Sequence, residues 1–400
     1  MAARTKASNN PALITWARET AGFSVAEAAT RLSVSEGQLL AWESRDTEDA
    51  PSIPQLRKIA ALFKRPLAVF FLSEAPTRFE VMRDLRRLPG AGLRHFSPAL
   101  QMEIRASSER RELARELVSD LEEPIKPFRL SAKIGDDPES VGRTIRTSLG
   151  VTDQLRFKWK DVDGRASFNA WRTRIEEFGV LVFQTITFTS EEASGFAIAA
   201  EDLPVIAVNR KDPLTRRTFS LLHEFVHLMI RVSGVSELET DVARPPEDQQ
   251  IEVFCNQVAA ATLIPKESLL AQPTVIEHGS KSGAWKDAEI SDLARLFGVS
   301  REALLRRLLT FERTTQEFYS LKRAQYNSEY QAIRKREKEK PKKDMKRNMP
   351  VETVSNFGRP LVRMLLDNYH QDRLTLSALS GFLNLKVKHI QKLEQVARVR

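Results

Sequence analysis

Cysteine is almost missing from this chain: one residue, Cys255, in 400. No disulfide can form within the chain, which excludes the small secreted folds that depend on such bridges. Long hydrophobic runs are missing as well. Stretches such as 66–72 (PLAVFFL) fall far short of the roughly 20 apolar residues that a membrane-spanning helix needs. The opening MAARTKASNN lacks the apolar segment of a secretory signal. The expectation is a cytoplasmic protein with no membrane partner. The hydrophobic share of 42% over 400 residues is ordinary for globular chains and provides core for two or three domains.

Net charge is +9, but it is not spread evenly. Residues 334–347 (RKREKEKPKKDMKR) hold nine Lys/Arg against three Asp/Glu, a local excess of +6. Such a run reads as a solvated linker or frayed helix end, with a phosphate-binding arm as the alternative.

Patterning along the chain predicts a mainly α protein with a small β-sheet (α+β). Residues 11–72 read as five short helices, with Ser24 and Ser35 each opening an apolar-periodic segment. The turn-rich then charged stretch 74–124 reads as a helical connector. In 125–210, a helix ending near Gly179 precedes three short strand patterns, in VLVFQTITF, SGFAIAA and LPVIAVNR. Asp212 as N-cap and Pro213 at the first helical position then open a long helix. A second helix begins at Pro246 and stops at Pro265. The expected divisions are 1–73, a helix-turn-helix domain; 74–124, a connector; 125–330, a catalytic domain; 331–350, a basic linker; and 351–400, a C-terminal helical subdomain. Three segments share a helix-turn-helix frame: VAEAATRLSVSEGQLLAW, ISDLARLFGVSREALLRR and LSALSGFLNLKVKHIQKL.

The chemistry is concentrated in LLHEFVHLMI, residues 221–230. Helical residues i and i+4 share a face, so His223 and His227 can offer imidazole nitrogens to one cation. Glu224, one step around, is outside that ligand pair but near enough to take a proton from a water molecule that the metal activates. A hydrolytic site of this kind needs a third ligand. Glu252, in the otherwise apolar IEVFCNQVAAATLIP, is costly to bury unless a cation compensates it.

HEFVH, followed 25 residues after its second histidine by E-x-x-C-N-x-V-A-A-x-x-L-I-P, resembles the metallopeptidases related to ImmA and IrrE. The resemblance implies one zinc ion per chain held by His223, His227 and Glu252, with Glu224 as general base and Asn256 as a supporting residue. Cys255 stands where the family usually has alanine and reads as a small buried hydrophobe. Peptidases of this motif hold substrate extended along an edge strand, a duty for which Gly195, Phe196 and Ala197 are the candidates; an ordinary strand beside the core is the other reading.

Residues 10–72 resemble the phage-repressor-like (XRE-type) helix-turn-helix, through Ala29, Val34, Leu39, Trp42 and Glu43. In that family the start of the second helix and the exposed side of the third face DNA, which makes Gln38 and Glu36 the contact candidates here. Residues 1–75 carry nine Lys/Arg against eight Asp/Glu, a weak field for phosphates, so DNA binding and protein docking both stay open. The C-terminal echo, with Lys386, Lys388, His389 and Lys392, reads as a lid over the cleft or a second nucleic-acid contact.

Taken together, these features predict a cytosolic zinc endopeptidase fused to a DNA-binding-type domain. The resemblance implies a protein substrate, a repressor of the same helix-turn-helix type, in stress or mobile-element control. The alternative is a transcriptional regulator or antitoxin-like factor whose metal site is structural or senses a ligand.

Overall fold

Short polar side chains start the amino-terminal helices. The Asn10 side chain accepts from the Ala12 N–H ahead of α1 (Pro11–Thr20), and Ser24 with Glu27 forms a reciprocal cap on α2 (Val25–Leu32). Ser35 caps α3 (Glu36–Glu43), Ser52 precedes α4 (Ile53–Phe63), and a 3-10 turn, Leu67–Phe71, closes the set. The five expected helices are therefore present, the last in 3-10 form. Their apolar stripes meet in a core of Leu13, Ile14, Leu39, Trp42, Leu56, Ile59, Phe63 and Phe70. Arg18 reaches from α1 to Glu43 at the end of α3 with two hydrogen bonds, of 2.7 and 3.0 Å, a bidentate pair that fixes the two helices.

The computed structural model describes residues 9–44, 49–76, 83–84, 96–121, 124–159, 163–236, 246–339 and 347–398. It divides into two compact units, residues 1–82 with 90–109 and residues 83–89 with 110–400. The long helix α5 (Pro98–Asp120) contributes its first half to one unit and its second half to the other.

The larger unit is built on a five-stranded sheet ordered β1-β5-β3-β4-β2: β1 (Arg83–Asp84), β2 (Leu181–Thr185), β3 (Gly195–Ile198), β4 (Val205–Asn209) and β5 (Gly234–Ser236). β2 runs parallel to β4, β3 runs antiparallel to both β4 and β5, and β1 runs parallel to β5. Ahead of β2 lie α6 (Pro138–Ser148), α7 (Asp153–Phe157) and α8 (Arg165–Glu177). Next come α9 (Leu214–Met229), α10 (Pro246–Leu263), α11 (Lys266–Leu270), α12 (Pro273–His278), α13 (Asp287–Phe297), α14 (Arg301–Thr310) and α15 (Gln316–Glu339). The chain finishes with α16 (Met349–Phe357), α17 (Arg359–His370), α18 (Leu376–Phe382) and α19 (Ile390–Arg398). Fold class is thus α+β, dominated by helix.

Inside this unit α9 lies against β3 and β4 on one side and α10 on the other, and α10 in turn packs on α6. The last contact is close enough to demand a glycine: a Cβ on Gly142 would sit 2.9 Å from the Thr262 nitrogen. Leu221, Leu222, Phe225 and Val226 of α9 join Cys255, Val258 and Ala259 of α10 in one core, which makes the two helices a rigid pair.

Two local expectations change, and the reading of the basic stretch as a frayed helix end agrees with the helix found at its start. Pro213, not Asp212, is the N-cap of α9. The basic stretch begins as helix, since α15 continues to Glu339; residues 340–346 lie outside the described residues. The C-terminal helices form no lid over the α9–α10 groove. Instead α16 packs against β2, where the Ser355 carbonyl accepts from Arg172 at 2.8 Å and from Gln184 at 3.1 Å. Among the described residues no helix is long and apolar enough to cross a membrane.

Candidate metal centre

The 3.6-residue repeat of α9 places His223 and His227 one above the other, and α10 brings Glu252 opposite them. The His227 and His223 Nε2 atoms are 3.1 Å apart. The Glu252 oxygens lie 3.3 Å from His227 Nε2 and 3.5 Å from His223 Nε2. A tetrahedral zinc ion with bonds of ~2.0–2.1 Å separates its ligand atoms by about 3.3 Å, so the three side chains already stand at ligand spacing. All three are buried. Neither Glu252 oxygen closes a hydrogen bond, an arrangement that without a cation leaves a buried carboxylate unsatisfied.

The surroundings orient the cluster. Asn256, one turn after Glu252, accepts at its Oδ1 from His223 Nδ1, 3.0 Å away, which leaves the His223 Nε2 lone pair facing Glu252. Burial would lift the Glu252 carboxyl, but the two facing imidazoles outweigh it and bring it to about 2. His227 is shifted down, first by burial and then by the neighbouring His223, against the pull of Glu252. A low carboxylate at Glu252 and an imidazole at His227 inclined to stay neutral are the protonation states of metal ligands.

Glu224 occupies a different environment. It is fully buried, neither of its oxygens closes a hydrogen bond, and burial reinforced by the charge of Glu252 drives its carboxyl well up, with Ser236 on its flank pulling the other way. Two carboxylates side by side, one held low and one driven high, form the division of labour expected of ligand and proton carrier. The seat of Glu224 is Gly195: a Cβ there would lie 3.2 Å from Glu224 Oε1 and 2.7 Å from the Ala207 carbonyl.

Gly195, Phe196 and Ala197 do not form an edge strand. β3 is bonded to β4 along one side and to β5 along the other, with Gly195 opposite both Val208 and Ser236, and Phe196 and Ala197 are fully buried. No backbone is left there to pair with a substrate, and the strand serves instead to seat Glu224. Sequence reasoning missed Ser236, whose Oγ stands 3.2 Å from His227 Nε2. It lies nine residues past the motif in a three-residue strand, where no spacing rule points to it. Cys255 is a core residue whose thiol burial pushes well up, and it is not among the clustered ligand atoms.

In the smaller unit Glu36 and Gln38 lie in the first turn of α3. The Gln38 amide donates to Asp49 Oδ2 at 2.6 Å, so a base edge would compete with that carboxylate for it.

Residues 175–309 match the family model of the IrrE N-terminal-like peptidase domain, and residues 14–70 match a helix-turn-helix model. No curated protein matches the chain. The first match contains β2 to β5, α9, α10 and the whole His223–His227–Glu252 cluster, and the second contains α2 and α3. The chain therefore joins an N-terminal helix-turn-helix domain to an IrrE N-terminal-like peptidase domain.

Proposed function

We propose that the protein is a cytosolic zinc endopeptidase that cleaves a regulatory protein, a repressor of the helix-turn-helix type, and that its N-terminal domain brings it to DNA or to that repressor. The observation that carries this reading is the pair of buried carboxylates with opposite shifts beside two facing imidazoles. In this reading His223, His227 and Glu252 hold the metal, and Asn256 fixes the His223 ring. Bound there, the metal supplies Lewis acidity that polarises a peptide carbonyl and acidifies water. Glu224 takes the proton from the attacking water and returns it to the leaving amine. Burial raises its carboxyl above the ordinary glutamate range, which helps it hold the proton it has taken until the amine leaves. A structural or ligand-sensing metal site has no use for a buried carboxylate without a hydrogen bond at this position.

Glu36 and Gln38 at the start of α3 would meet the base edges, with DNA binding weak and salt-sensitive because the unit is nearly neutral. A gel shift on the protein's own promoter measures that directly. For the peptidase, wild-type protein should contain about one zinc per chain, and Glu252→Ala should lose it. Glu224→Gln should keep the zinc while hydrolysis of an unfolded protein such as casein falls about 10³-fold. Unchanged hydrolysis in Glu224→Gln would remove Glu224 from the base role.

A further inference from the structure

The α9–α10 pair extends beyond the ligand cluster. Phe219, one turn before His223, and Asn256, one turn after Glu252, are also part of the wall of a cleft of about 680 Å³, well inside the size range of binding sites. Its far walls are the first turns of α14 and the side of α15 that carries Arg323, Tyr326 and Tyr330. The match to the peptidase family model stops at residue 309, so α15 lies outside it.

The cleft has a distinct charge. Five arginines line it, against a single carboxylate, Glu302. Arg307 is tied to Glu139 at 2.5 Å, Arg301 to Glu329 at 2.6 Å and Arg306 to Glu302 at 3.2 Å. Arg216 stands 3.7 Å from Asp212. Glu139, Glu329 and Asp212 are not part of the lining, so the counter-charges of Arg307, Arg301 and Arg216 are set back from the cleft, while Glu302, the partner of Arg306, lies within it. These ion pairs hold the arginines in place, which lowers the ordering cost of binding an anion. Between them lie apolar surfaces from Phe219, Val253, Val299 and the Tyr326 ring, the last with the Arg301 guanidinium stacked 4.0 Å above it.

We propose that this cleft is the docking site for an extended segment of the protein substrate in which acidic side chains alternate with apolar ones. The arginines take the carboxylates, the aromatic and aliphatic floor takes the apolar side chains, and the groove past Phe219 leads the segment toward His223 and Glu224. The proposal rests on the peptidase reading and gives it a substrate preference.

The test uses the full-length chain carrying Glu224→Gln, loaded with zinc, so that binding is measured without cleavage. Two fluorescein-labelled peptides are compared by anisotropy, one of alternating Glu and Leu and one of alternating Lys and Leu. The acidic peptide should bind at least about tenfold more tightly and weaken as salt rises. Arg323→Glu should cost about tenfold in affinity for it, while Arg323→Lys, which keeps the charge, should stay near the parent. Equal binding of the two peptides, or an Arg323→Glu variant that binds like the parent with an unchanged melting curve, overturns the proposal. Displacement of the acidic peptide by sub-millimolar inorganic phosphate overturns it too, in favour of a small-anion site. The unsubstituted enzyme is then offered the acidic peptide: binding without any hydrolysis counts against the peptidase reading while leaving the cleft as an acidic-peptide site.

Discussion

Glu224 is held where burial and the neighbouring Glu252 oppose its charge, and Gly195 is what makes the position possible. The glycine needs no special backbone conformation; what it provides is the missing methyl group, because a Cβ would press on the Ala207 carbonyl at 2.7 Å and on the Glu224 carboxylate at 3.2 Å. Gly195→Ala should therefore shift β3 or the base, destabilise the fold by about 1–3 kcal/mol and remove most hydrolytic activity, with zinc content unchanged. Thermal unfolding, metal analysis and a casein assay read the three effects separately, and full activity would show that the base is not seated on this strand. At this scale the sequence was informative where chemistry repeats with helical spacing. His223, His227 and Glu252 were legible because two histidines at i, i+4 and a lone carboxylate in an apolar helix make physical sense together only around a cation. Ser236 and the seating role of Gly195 were not, since both depend on which strand lies beside which, and that is decided by residues far away in the chain.

Among the elements, α6, α7 and α11 meet at a charge cluster that serves packing rather than chemistry. Asp153 forms close ion-pair and hydrogen-bond contacts with Arg146 and Ser268 and lies 3.7 Å from Arg156. The Arg156 guanidinium is buried between Phe157 and Phe297, 4.6 Å from each ring, where burial, with Arg146 nearby, brings it down to about 10. For Asp153 itself burial acts upward, but the Ser268 and Arg146 hydrogen bonds and the arginine charges pull it below the ordinary aspartate range. A depressed folded-state carboxyl adds stability above its unfolded value, and that stability is lost as pH falls through the lowered value. Asp153→Asn should thus cost about 2 kcal/mol at neutral pH, less than the ~3–5 kcal/mol of a fully buried pair because Asp153 is partly exposed. The deficit should shrink on acidification below about pH 4, as the wild-type carboxylate protonates too. Urea midpoints across pH measure this, and a deficit constant with pH would assign the loss to packing instead. Element boundaries were readable where caps mark them, as at Ser24 and Ser35. The sheet order was not: β5 is a three-residue strand with no alternation to reveal it, yet its pairing is what takes β3 off the edge.

At the scale of the whole molecule, each of the two units contains an apolar core of its own among the described residues. The order of the domains could be read from motif and periodicity, because each motif is local. The docking of α16 on β2 could not, since it rests on long-range contacts such as Arg210 with Glu352 at 3.0 Å and Gln184 with the Ser355 hydroxyl at 2.9 Å, and polar side chains carry no periodic signature of their partners. That docking makes the C-terminal helices part of the peptidase unit, so metal binding should stabilise everything built on its sheet and nothing in the smaller unit. His223, His227 and Glu252 sit on α9 and α10, whose neighbours Phe225, Val226, Val258 and Ala259 belong to the larger core; the smaller core of Leu13, Trp42 and Phe63 has no member on either helix. Heating should give two transitions. Free zinc at about 100 times its dissociation constant adds about 2.7 kcal/mol to the unit that binds it, which for a unit of this size raises its midpoint by about 4 °C. Adding a chelator should reverse that rise in one transition and leave the other in place, as followed by calorimetry. Two transitions moving together would mean that the units unfold as one, and no movement in either would mean that the cluster of His223, His227 and Glu252 does not hold a metal in the folded chain.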